Sequence, residues 1–190
     1  MDKNTALIIV DVQKAFFDQK WGERNNEEAE ENISKLLGIW REKGWRVIYI
    51  QHTSDDPESL FHPSNEGYGI KKIVEPMQDE EIINKKVNSS FIGTNLEELL
   101  HLYGIENVVI TGLTTPHCVS TTTRMSGNLG FETYLISDAT AAYGMSDQNG
   151  RYYDAESIHS ISLATLHDEF ATIITTEQCI NTIENYLSEY

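Results

Sequence analysis

Residues 107–126 read NVVITGLTTPHCVSTTTRMS. An apolar, β-branched run at 107–111 gives way through GLTTP to a polar-apolar run of helical spacing. A strand handing directly to a helix is half of a β-α-β unit, and ETYLI at 132–136 supplies the strand expected next. The alternation extends along the chain. Strand-like segments fall at 6–10, 45–50, 81–84, 107–111, 132–136 and 171–175. Helix-like segments fall at 25–43, 94–103, 116–129, 151–168 and 177–188. Short continuous apolar strands between helices predict a parallel sheet covered on both faces. With right-handed crossovers, the expected fold is a three-layer α/β/α, Rossmann-like arrangement whose mostly parallel sheet has about six strands.

The 190 residues are expected to form a single domain, 1–190, large enough to bury a sizeable core. A hydrophobic content of 39% and a charged content of 23% exclude wholesale disorder. No apolar run approaches the roughly 18–20 residues that span a bilayer. The apolar part of MDKNTALIIVDVQ is too short for a signal peptide, so a cytoplasmic location is expected. The formal net charge of −16 argues against nucleic acid or an anionic membrane as partner, because binding phosphates needs a basic face. Two cysteines, Cys118 and Cys179, are too few for a disulfide framework. The stretch 52–80 is weakly patterned and long for a connection, a lid or binding wall on one reading and a packed excursion on the other.

In open parallel sheets, ligands sit beyond the carboxyl ends of the strands. Asp11 follows the first strand, Lys85 and Lys86 follow the third, and 114-TTPHC-118 follows the fourth. Thr115 is a good helix N-cap and Pro116 suits the first helical position, which puts Cys118 in the first turn. There the unpaired N–H groups and the helix dipole favour a thiolate. A small side chain packing the helix onto the sheet is the structural alternative. Asp11, poorly solvated at a strand end, reads as an acid or base or as a turn cap. The lysine pair reads as a source of positive charge for both groups or as a solvated edge. Phe16, Phe17, Trp21 and Tyr143 are candidate pocket walls, and 146–153 is a candidate border. His117 is expected to face away from Cys118, since successive helical positions point about 100° apart. Asp138 reads as a turn cap and Cys179 as a packed thiol.

Four segments in this order, 6-ALIIVDVQKAFFD-18, 85-KKVNSSFIGTNLEELL-100, 109-VITGLTTPHCVSTTTR-124 and 132-ETYLISDATAAY-143, resemble the isochorismatase-like cysteine hydrolase family over nearly the whole chain. The resemblance is closest to the metal-independent amidase members. It implies a catalytic triad of Asp11, Lys85 and Cys118. Lys85 is chosen because it lies six residues before Phe91, with Lys86 as the fallback. It also implies a cis peptide at Leu113–Thr114 and an oxyanion hole formed by the N–H groups of Thr114 and Cys118.

Nicotinamidases of that family bind a metal through an Asp-x-His pair and a second His. Here Ile50 stands at the Asp position, leaving His52 and His62 as a poor ligand set. No metal and no other cofactor is therefore expected. Retention of Cys118 favours cleavage of a C–N bond, in an amide or cyclic amide of a small molecule, through a Cys118 thioester. One alternative is an isochorismatase-type vinyl ether hydrolase using Asp11 as acid. Another is a non-catalytic redox-sensing or ligand-binding module. Family likeness implies a homodimer or homotetramer.

Overall fold

The computed structural model describes residues 1–188. Its central sheet contains β1 (Thr5–Val10), β2 (Val47–His52), β3 (Glu81–Lys85), β4 (Asn107–Leu113), β5 (Glu132–Ala141) and β8 (Thr172–Ile174). Their order is β3-β2-β1-β4-β5-β8, and all five neighbouring pairs are parallel. The helices are α1 (Ala29–Lys43), α2 (Leu96–Leu102), α3 (Ser120–Asn128), α4 (Ala155–Ala164) and α5 (Thr176–Ser188). A small antiparallel pair, β6 (Met145–Ser146) with β7 (Tyr152–Tyr153), stands apart from the sheet. Among the described residues, no helix is long and apolar enough to cross a membrane.

The period-two pattern of β1 explains the layering. Leu7 and Ile9 pack with Ile33, Leu36, Leu37 and Trp40 of α1 and with Cys179 and Ile183 of α5. Ala6, Ile8 and Val10 pack on the other face with Leu96 and Leu100 of α2 and with Val119. All six β1 residues are buried, as a central parallel strand requires. Helix α1 carries Glu30 and Glu31 in its first turn and Arg41 and Lys43 in its last, each pair complementing the helix dipole. It ends at Gly44, whose φ of 64° closes the helix in the left-handed conformation.

The expected strands are all present. Differences concern their ends. Strand β5 runs on to Ala141 because it rejoins β4 after a bulge, pairing Gly112 with Thr140 and Leu113 with Ala141. The polar SDAT segment hides this extension from a hydrophobicity reading. At the bulge Gly112 has φ 119°, and a Cβ there would lie 2.0 Å from the Val10 carbonyl oxygen. Only glycine lets the two central strands approach this closely.

The stretch 52–80 is packed rather than loose. It contains 3₁₀ turns at Glu66–Tyr68 and Lys72–Val74. The Gln13 and Gln51 side-chain amides both donate to the Tyr68 carbonyl, at 2.9 and 2.7 Å. Buried Lys71 is anchored to Glu30 at 2.6 Å.

Candidate active site

Strand order reverses on either side of β1, so the crevice beyond the ends of β1 and β4 is where such a sheet offers a binding site. Asp11 leaves β1 with φ 51°, a left-handed turn that directs the chain off the sheet. Lys85 closes β3, paired in register with His52 at the end of β2. Its side chain is fully buried and reaches past β2 to Asp11. The Lys85 Nζ donates to Asp11 Oδ2 at 2.6 Å and to Cys118 Sγ at 3.2 Å, and lies 3.2 Å from His52 Nδ1. Lys86 points outward and pairs with exposed Asp55 at 2.7 Å. The inward lysine is therefore Lys85.

Burial raises the Asp11 carboxyl above its usual range, and the attraction of Lys85 only partly offsets it. The second oxygen, Oδ1, is buried without a hydrogen-bond partner. His52 is pushed down by burial and by the charge of Lys85, so it is a neutral ring accepting from the ammonium. Cys118 departs from the sequence expectation of a thiolate. Burial and the negative charge of Asp11 push its thiol up to about 12, outweighing Lys85. Desolvation of the sulfur and the neighbouring carboxylate outweigh what the turn's N–H groups can offer a thiolate. This sulfur is mostly buried, with a carboxylate beside it.

The turn carrying Cys118 also differs from the expected α-helix. Thr115–Val119 forms a single π-helical turn before α3, with Thr114 rather than Thr115 at the N-cap. The Leu113–Thr114 peptide is cis, at the position implied by the family resemblance. Thr114 oxygen accepts from the N–H groups of His117 and Val119, at 3.1 and 3.3 Å. Thr115 turns its hydroxyl inward, to Thr140 and to His159 Nδ1 at 2.8 Å. His117, expected to face away from Cys118, lines the cavity beside it. Its Nδ1 lies 3.1 Å from the Thr114 hydroxyl.

Above these groups opens a cavity of about 400 Å³ whose floor includes Asp11, Cys118 and Thr114. Its walls are aromatic: Phe16 lies 5.3 Å from Trp21, 5.6 Å from Phe61 and 6.2 Å from Tyr143, ring centre to ring centre. Trp21 donates to the Ala15 carbonyl and Tyr143 to the Phe16 carbonyl, so both polar tips are held by backbone. Phe17 is a correction. It is 70% exposed, outside the cavity, with Lys71 Nζ 4.3 Å over its ring. In the 3₁₀ turn Lys14–Phe17, adjacent residues diverge, so only Phe16 of the pair can face inward.

Phe61, Lys20, Asn88, Gly144 and Met145 also line the cavity and were not identified from sequence. Phe61 lies in the unpatterned 52–80 stretch, where no periodicity assigns a facing. Met145 sits on the short β6–β7 hairpin just before the candidate border 146–153, none of whose residues lines this cavity. Asp138 accepts from the N–H and hydroxyl of Thr176, at 2.7 and 2.8 Å, and so caps α5. Cys179 is fully buried against Met1, a packed thiol as read.

A divalent metal does not fit these donors. Asp11, His52 and Cys118 do converge, their ligand atoms within 4.8 Å of one another. Yet the Lys85 ammonium lies 2.6–3.2 Å from all three, filling the place of a cation with a cation. Ile50 is buried in β2, and His62 Nδ1 is engaged by the Ser64 hydroxyl at 2.7 Å.

A family model described as Isochorismatase domain matches residues 5–178. The isochorismatase family protein YrdC of Bacillus subtilis is 77% identical over 95% of this chain and 97% of its own. A crystal structure of an isochorismatase-family protein from Chromobacterium violaceum superimposes with a TM-score of 0.95 at 36% identity, over 97% of this chain and 95% of that one. A cysteine hydrolase from Pseudomonas syringae superimposes with a TM-score of 0.88 at 26% identity, covering 97% and 95%. By sequence, by fold and by the match over residues 5–178, the chain belongs to the isochorismatase family.

Proposed function

We propose that this chain is a cysteine hydrolase that cleaves a C–N bond, in an amide or cyclic amide of a small molecule, through a Cys118 thioester. The observation that carries the reading is the contact of Lys85 with both Asp11 and Cys118 on the floor of an aromatic cavity. At about 400 Å³ the cavity is within the range that holds a small molecule. Likeness to a protein named a cysteine hydrolase supports the same chemistry.

The roles follow from the charges. Lys85 holds Asp11 by Oδ2, leaving Oδ1 free to take a proton. With its thiol near 12, Cys118 rests protonated. Its proton leaves as the sulfur attacks, passing to Asp11, whose raised pKa makes it the stronger base. The new C–S bond puts negative charge on the carbonyl oxygen, to be met by the N–H groups of Thr114 and Cys118. One such donor contributes about 3 kcal/mol to the transition state. Asp11 then passes its proton to the leaving nitrogen as the C–N bond breaks. A water delivers its proton to Asp11 and its oxygen to the thioester, releasing the acid and restoring the thiol. Lys85 remains the counter-ion throughout, facing carboxylate or thiolate in turn.

The test is the appearance of ammonia or a free amine from small carboxamides, and of the ring-opened amino acid from cyclic amides, comparing wild type with Cys118→Ala. Hydrolysis that vanishes with the sulfur is the expected result. Turnover that persists in Cys118→Ala would transfer the chemistry to Asp11 acting without a nucleophilic thiol.

A further inference from the structure

Beneath the Cys118 turn lies a chain of buried polar groups that the mechanism does not use. Thr115 and Thr140 are completely buried, and His159 of α4 is 5% exposed. The Thr115 hydroxyl touches both Thr140 Oγ1 and His159 Nδ1. On the far side, the Asn26 amide is 3.4 Å from His159 Nε2. Asn26 has only two amide hydrogens, and these go to the carbonyls of Ser137 and Thr140, at 2.9 and 2.8 Å. It therefore has none for the ring. A ring protonated on Nε2 leaves Nδ1 as the acceptor that faces Thr115. In that tautomer Thr115 donates to His159, and Thr140 donates to Thr115.

A packing role alone would be met by an apolar side chain, which avoids the cost of burying an imidazole and two hydroxyls. The polar chain ends instead at Thr115, the residue following the cis peptide and opening the turn that carries Cys118. Asn26 holds its own place with a φ of 43°, tying the end of β5 to the segment before α1. The support is therefore linked to the sheet and does not depend on α4 alone.

We infer that His159 is a positioning residue which, through the Thr115 hydroxyl, fixes the Thr114–Cys118 backbone so that its N–H groups meet an oxyanion. The inference rests on the proposed Cys118 chemistry and adds to it a residue that touches neither substrate nor sulfur. It separates two reactions of the same thiol. Alkylation by iodoacetamide forms a C–S bond and expels iodide, with no oxyanion. Acylation by p-nitrophenyl acetate forms a C–S bond through an oxyanion and expels p-nitrophenolate as the C–O bond breaks; water then releases acetate.

The experiment measures both rates in Thr115→Val, which keeps the shape and removes the hydroxyl, and in His159→Leu, each verified as folded by its melting transition. Thr115→Ser and His159→Asn, which retain a donor and an acceptor, serve as rescues. Acylation is expected to fall about tenfold to a hundredfold in the first pair and to recover in the second. Alkylation is expected to stay within about twofold in all four. Should His159→Leu not fold, Thr115→Val decides. Unchanged acylation in Thr115→Val would overturn the inference. So would a parallel fall in both rates, which means that the chain merely holds the thiol. A p-nitrophenolate burst surviving in Cys118→Ala would instead overturn the thioester reading on which the inference stands.

Discussion

One buried ammonium facing one carboxylate and one thiol organises this site, and the charges allow only one of the two acids to be ionised comfortably. Since burial and Asp11 are what raise the Cys118 thiol, and Lys85 opposes them, the sign of each substitution follows. Asp11→Asn removes the competing anion, so iodoacetamide should label Cys118 faster at neutral pH while amide turnover collapses. Lys85→Met removes the charge that stabilises the thiolate, so labelling should slow and its rise should move to higher pH. Labelling rates against pH, read by peptide mass spectrometry, check both. Lys85→Met also strands a buried carboxylate at a cost of about 3–5 kcal/mol, which a urea midpoint would register. Sequence position alone made Asp11, Lys85 and Cys118 candidates, and the family resemblance selected Lys85 over Lys86. The protonated state of the thiol was not legible, because desolvation depends on what the fold places around the sulfur.

Among the elements, the contact between β1 and β4 bears most directly on the site, because Asp11 and Cys118 follow these two strands. Gly112→Ala would drive a Cβ into the Val10 carbonyl and impose an unfavourable φ. A loss of about 3 kcal/mol or more is expected, seen as a lowered urea midpoint together with lost Cys118 reactivity, since the strand ends would separate. At the opposite side of the sheet, Asp138→Ala should cost about 1 kcal/mol by uncapping α5, without altering that reactivity. Alternating apolar runs and helical spacing made the strands and helices legible. The π turn was not, since threonine, proline and histidine suit an α-helical first turn equally well. That difference moved the cap from Thr115 to Thr114. The orientation of Phe17 was missed for a related reason: a four-residue 3₁₀ turn leaves no periodic signature.

At the scale of the molecule, the cavity depends on segments far apart in sequence, and a second ionic centre joins them. Glu30 of α1 receives two bonds from Arg24, at 2.8 and 2.7 Å, and one from Lys71, at 2.6 Å. These bonds outweigh desolvation and hold its carboxyl at about 2, below the ordinary 4.5. A depressed carboxyl contributes stability that is present above its ordinary range and lost as the pH falls toward the depressed value. The contribution is about 3 kcal/mol. Unfolding by urea should therefore become easier between about pH 5 and pH 2. Glu30→Gln should be less stable at neutral pH and flatter across that window. Such long-range joints, like Phe61 closing the aromatic wall from the 52–80 excursion, follow from how segments meet in space, which local pattern does not encode.

The most direct test of the thioester is rapid-quench intact-mass spectrometry during reaction with p-nitrophenyl acetate, followed by peptide mapping. The expected result is one acetyl group on Cys118 that appears within the burst, decays as acetate is released, and is absent in Cys118→Ala. A wild-type protein that releases p-nitrophenolate catalytically with no acetyl on Cys118, or with acetyl only elsewhere, would contradict the account.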